Sequence, residues 1–100
     1  MNRKPSGFDA PLLPVESFLN NANALRGNTY AVEGRVHSIV SKDSGKFIHL
    51  AVDNSGREEH VFVVVPSHLQ AINIEREQNY SFKVTIQKGG IPEASAVKRL

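Results

Sequence analysis

The side chains in this chain that could carry recognition chemistry are aromatic and basic, and they recur at every second position. Arg35 and His37 stand on one alternating run, Phe47 and His49 on the next, and His60 and Phe62 on a third, with Lys42 and Lys46 flanking the turn between the first two. Residues two apart on a strand share a face. Rings and guanidinium planes on one face stack on unpaired bases, while lysines follow a phosphate backbone. Arg35, His37, Lys42, Lys46, Phe47, His49 and Phe62 are therefore the candidate residues for holding a single-stranded nucleic acid. An apolar set on the same face, Ile39, Phe47, Phe62 and Val64, supports a competing reading as a protein interface, because exposed apolar patches mark association surfaces.

Other chemistries find little footing. The chain has no Cys, no G-x-S-x-G elbow, no phosphate-cradling glycine loop ahead of a Lys and no H-E-x-x-H pair, so neither catalysis nor a cofactor is expected. Glu58 and Glu59 flank a turn and read as solvated carboxylates rather than an acid–base pair. His37, His49 and His60 invite a zinc site. His37 and His60, however, fall two strand spacings apart, about 10 Å, too far to share an ion, and no metal is expected. His68 reads as a solvated residue at the start of a short helix.

These side chains need a sheet to hold them, and the alternation supplies one. Tyr30, Val32, Gly34 and Val36, and again Tyr80, Phe82, Val84 and Ile86, form two matched inward-facing series. Gly34 falls where a long first strand must bend. Asp43-Ser44-Gly45 reads as a three-residue hairpin loop pairing Lys42 with Lys46, which sets Val40 opposite Ile48, Ser38 opposite Leu50 and Val36 opposite Val52. A two-residue loop at Ser55-Gly56, or a four-residue loop over residues 54–57, places Val61 opposite Leu50 and Val63 opposite Ile48, whereas a three-residue loop would turn Phe62 and Val64 inward instead. The resulting outward rows are Ile39, His49 and Phe62; His37, Ala51 and His60; and Ser41, Phe47 and Val64, with Arg35 beside Asp53.

Pro66 ends the third strand, Ser67-x-x-Gln70 signals a capped short helix through about Asn73, and Leu69 and Ile72 are spaced to plug one end of a barrel. Gly89-Gly90 makes the last turn, and a fifth strand begins after Pro92. Ahead of the strands, Val15, Phe18, Leu19, Ala22 and Leu25 mark one face of a helix over residues 14–26, preceded by a loose, Pro- and Gly-interrupted segment over residues 1–13.

Three strands, a short helix and two more strands, opening on Arg26-Gly-Asn-Thr-Tyr-Ala-Val-Glu-Gly-Arg-Val36, resemble the OB-fold, and in particular bacterial OB modules of the tRNA-anticodon-binding-like kind. The resemblance covers residues 26–100. It implies an all-β fold, a small five-stranded Greek-key barrel over residues 28–100, with an added N-terminal helix and a short helix between strands three and four. It also implies binding of single-stranded DNA or RNA across strands two and three. Two features depart from that pattern: the short loop between strands four and five, and the N-terminal helix.

At 100 residues and 40% hydrophobic, the chain suits one domain with one core. Twelve basic residues against ten acidic give a net charge of only +2, too small and too scattered for strong non-specific duplex binding. With no apolar run of membrane-spanning length, a soluble cytoplasmic protein is expected. The expected function is a non-catalytic module for single-stranded nucleic acid; the alternative is an OB-type assembly module joining a protein partner or a second copy of itself. The two part on whether the N-terminal helix covers the face of strands two and three.

Overall fold

The computed structural model describes residues 10–69 and 73–100. Among the described residues five strands form, β1 (Thr29–Lys42), β2 (Gly45–Asn54), β3 (Arg57–Pro66), β4 (Asn79–Gln87) and β5 (Ile91–Arg99), preceded by one α-helix, α1 (Val15–Asn21). They close into a barrel in the order β1-β2-β3-β5-β4. β1 serves both halves of it: residues 29–35 pair with β4, from Thr29↔Thr85 to Arg35↔Asn79, and residues 35–42 pair with β2. The bend falls at Gly34, where a Cβ would stand 2.7 Å from the Ala51 carbonyl oxygen, so a side chain there would push β2 away. β3 and β5 complete the barrel through a parallel pairing at Val64↔Glu93.

The alternating series point inward as the sequence predicts. Val32, Val36, Ile48, Leu50, Val61, Val63, Phe82, Val84 and Ile86 are all buried in one cluster. Tyr80 is buried beside them and its hydroxyl accepts the Glu75 N–H at 2.9 Å, tying the chain before β4 to the core. Between β2 and β3 the register is the expected one, with Leu50↔Val61 and Ile48↔Val63 around a two-residue turn at Ser55-Gly56.

Between β1 and β2 the register differs. Lys42 pairs with Gly45, not Lys46, so the loop is Asp43-Ser44 and the glycine belongs to β2. The reason lies on the far side of β2: Gly45 pairs with Pro66 at φ +143°, and a Cβ there would overlap the Val65 carbonyl oxygen. This glycine is required by close approach of another strand, a contact the local sequence does not encode. A bulge at His37 then shifts the register again, giving Val36↔Leu50 on one side and Ser38↔His49 on the other. The extra residue inverts the phase of the strand's second half. Ile39, expected outward, packs against the core, while Val40, expected inward, is exposed.

The remaining elements depart in smaller ways. The N-terminal helix is α over Val15–Asn21 and tightens into a 3-10 turn over Ala22–Leu25. Of the expected loose segment, the described part is docked: the Ala31 N–H donates to the Pro11 carbonyl at 2.8 Å, the Leu13 N–H donates to the Ala31 carbonyl at 2.9 Å, and Leu13 is buried. A 3-10 turn, Ser67–Leu69, stands where the plugging helix is expected, and Leu69 packs against the core. Gln70 and Ile72, the rest of that expected helix, lie outside the described residues. Pro92 sits within β5, buried and paired with Ile86, not ahead of the strand; near a strand's start its missing N–H is tolerated. Among the described residues no helix is long and apolar enough to cross a membrane.

Candidate nucleic-acid interface

The outer face of β1, β2 and β3 gathers four of the seven candidate residues into one patch. His49↔Phe62 and Phe47↔Val64 are cross-strand pairs on β2 and β3, as the predicted rows require. The His49 and Phe62 rings stack with centroids 4.4 Å apart and planes inclined by 21°. Phe62 is nevertheless 57% exposed and Phe47 37% exposed. His37, projected from the bulge, sets its ring edge-on to His49 at 4.9 Å. The first-strand member of each row has changed with the register, so Val40 and Ser38 replace Ser41 and Ile39 opposite Phe47 and His49.

His60, absent from the candidate set, belongs to this patch. Its ring lies 4.8 Å from His49, and His60 Nδ1 and His49 Nε2 share a hydrogen bond of 2.8 Å. The signal was present in the sequence, since His60 is two residues from Phe62 and must share its face. Its centroid is only 6.3 Å from that of His37. The expected 10 Å separation describes the backbones; the bulge and the lean of both rings toward His49 close much of that distance. Burial, and then the coulombic influence of His60 and His37, lower the His49 pKa below its ordinary value and so favour its neutral form.

The basic candidates are divided. Lys42 shares the phase of Val40 and Phe47 and stands at the end of the patch. Lys46 pairs with the buried Val65 and is one residue from Phe47, so its Cβ leaves from the opposite face. Arg35 is on the correct face but already engaged: its guanidinium donates to Glu77 Oε1 at 2.8 Å and stands 3.5 Å from Glu58 Oε2. Two carboxylates around one guanidinium leave that cluster with a net negative charge.

A groove of about 680 Å³ continues from the aromatic patch, bounded by Phe18 and Leu19 of α1, Phe47, Phe62 and Val64 of the sheet, and Ile91 at the start of β5. α1 thus forms one wall of the face and does not cover it. It is held there from below, where Asn23 Oδ1 accepts the Gly89 N–H at 2.9 Å and fastens the helical segment to the β4–β5 turn. Periodicity places Phe18 and Leu19 on a helix face and carries no sign that they, or Ile91 beside the last turn, meet Phe62.

This is a five-stranded OB barrel. Solved structures share the fold: the telomere capping protein Ten1 from Saccharomyces pombe is 21% identical, matching 91% of this chain and 81% of its own with a TM-score of 0.60. A chain of the S. pombe Stn1–Ten1 complex is 23% identical over 95% of this chain and 81% of that one, with a TM-score of 0.59. A protein described as an aspartyl-tRNA synthetase from Leishmania major Friedlin matches 99% of this chain at 13% identity and a TM-score of 0.60, but this chain spans only 22% of it. No family model matches the sequence, and no curated protein matches it significantly.

Proposed function

We propose that this chain is a non-catalytic OB module that holds single-stranded nucleic acid on the outer face of β2 and β3. The observation that carries the reading is Phe62, an aromatic ring left more than half exposed at the middle of that face and backed by the stacked His49. Burying such a ring elsewhere would cost nothing in function; leaving it in water costs free energy that stacking on a base recovers. Lys42 at one end supplies a phosphate contact. With Arg35 already paired and Glu58 beside it, the charge is modest, so binding is weak at physiological salt and rests on stacking with little preference for sequence. A fold shared with a telomere capping protein and with part of a tRNA synthetase is in keeping with this reading, including the finer resemblance to anticodon-binding-like modules.

The apolar groove favours a second reading, an assembly module. Leu19, Phe47, Phe62 and Ile91 are all exposed large hydrophobic residues bordering one groove, and the similar Ten1 fold occurs in a complex with Stn1. One pair of variants separates the two. Titrating labelled single-stranded DNA and RNA at two salt concentrations should show salt-dependent binding that Phe62→Ala weakens and Leu19→Ser leaves within a few-fold. If neither nucleic acid binds even at low salt, while sedimentation shows self-association that Leu19→Ser abolishes, the assembly reading replaces the first.

A further inference from the structure

Three imidazoles meet on the aromatic face from three different strands, His37 at the bulge of β1, His49 on β2 and His60 on β3. Their centroids are separated by 4.9, 4.8 and 6.3 Å. Histidine nitrogens bound to one tetrahedral ion at roughly 2.0–2.1 Å are about 3.3 Å apart, and their ring centroids about 5 Å apart. Two of the three ring separations already match this, and the third is longer by little more than an ångström. Among the described residues no three donors are arranged around an ion as they stand. The 2.8 Å contact between His49 Nε2 and His60 Nδ1 shows why: a shared proton occupies the position between two lone-pair directions. Ligation by both nitrogens needs that proton to pass through solvent to the donor ring's other nitrogen, a change of tautomer, and the two nitrogens to part by about half an ångström; His37 and His60 are exposed enough for their rings to turn.

We propose that His37, His49 and His60 together bind one divalent transition-metal ion of borderline softness, Zn²⁺ or Ni²⁺, with water completing its coordination. Imidazole nitrogen selects such ions over Mg²⁺ and Ca²⁺, which demand oxygen. The ligands must be unprotonated, so binding of the ion competes with protons and strengthens as pH rises. None of the three rings hydrogen-bonds to a carboxylate or carbonyl among the described residues, so the site is open and of moderate affinity. The bound ion would fasten β1, β2 and β3 to one another at the bulge. The proposal stands apart from the nucleic-acid reading, since it depends only on the three rings.

Isothermal titration of the full, untagged chain with ZnCl₂, NiCl₂ and MgCl₂ at pH 7.4 tests it. The expected result is one Zn²⁺ or Ni²⁺ per chain, no Mg²⁺, and a thermal midpoint raised by the bound ion. His37→Ala and His60→Ala alter exposed residues, and each should weaken binding by more than about 100-fold, the upper end of the cost of losing a mere supporting group. His68→Ala removes the fourth histidine, at the 3-10 turn, and should change nothing. Circular dichroism of each variant establishes that it is folded. Absence of saturable Zn²⁺ and Ni²⁺ binding by the parent, one ion per two chains, or affinity retained in either His37→Ala or His60→Ala overturns the proposal.

Discussion

Phe62→Ala tests the stacking face most directly, because the ring's exposure separates its role in binding from its role in folding. A phenylalanine presents roughly 200 Å² of side-chain surface, and Phe62 keeps 57% of its surface in water. Less than half is therefore buried, and at about 25 cal/mol/Å² truncation can cost the fold at most about 2 kcal/mol, less what the remaining Cβ retains. A stacked base is worth roughly 1–3 kcal/mol, which corresponds to a 5- to 150-fold loss of affinity at about 1.4 kcal/mol per tenfold. The assay is fluorescence anisotropy of a labelled oligonucleotide in low salt with EDTA present, so that no metal on the neighbouring histidines intervenes, paired with urea denaturation. Phe62→Trp should restore affinity, since any aromatic face can stack. An affinity unchanged by Phe62→Ala, or a loss of stability well above 2 kcal/mol, would refute the argument and place Phe62 in a packed interface.

Three further outcomes are expected. Lys42→Ala should lower the slope of log affinity against log salt by about 0.7, the single-strand value for one phosphate contact, while Lys46→Ala, on the opposite phase of β2, should leave the slope within error; oligonucleotide titrations across a salt series measure both. Phe82→Ala, at a fully buried ring, should destabilise the fold by about 3–5 kcal/mol in chemical denaturation, and a value under 1 kcal/mol would mean that the ring does not face the core. Gly45→Ala sets a Cβ against the Val65 carbonyl at a positive φ and should cost more than about 1 kcal/mol in the same experiment; an unchanged midpoint would return Gly45 to the hairpin loop.

Much of the barrel was legible in the chain because strand alternation is a local property. Tyr80, Phe82, Val84 and Ile86 declare their face without reference to any partner, and the two-residue turn at Ser55-Gly56 carries the register of β2 against β3 with it. The stacked pair His49 and Phe62 follows from those two facts alone. The phase of Lys46 is equally local: consecutive residues on a strand face opposite ways, so it leaves β2 on the side opposite Phe47.

Contacts between elements distant in sequence are set by the closed barrel alone. Gly45 looks like a turn residue until the end of β3 crosses it, and that crossing moves the β1–β2 register by one. The bulge at His37 then sets Ile39 inward and Val40 outward, because an extra residue on one strand of a pair inverts every position beyond it. The same bulge brings three histidines together across a gap that strand spacing alone would keep open. The Arg35 ion pair has a similar origin: Glu77 is forty-two residues away and meets it only when the barrel closes. Periodicity fixes which way a side chain points along its own strand, whereas the neighbour it meets depends on closure, bulges and close approaches that no local pattern records.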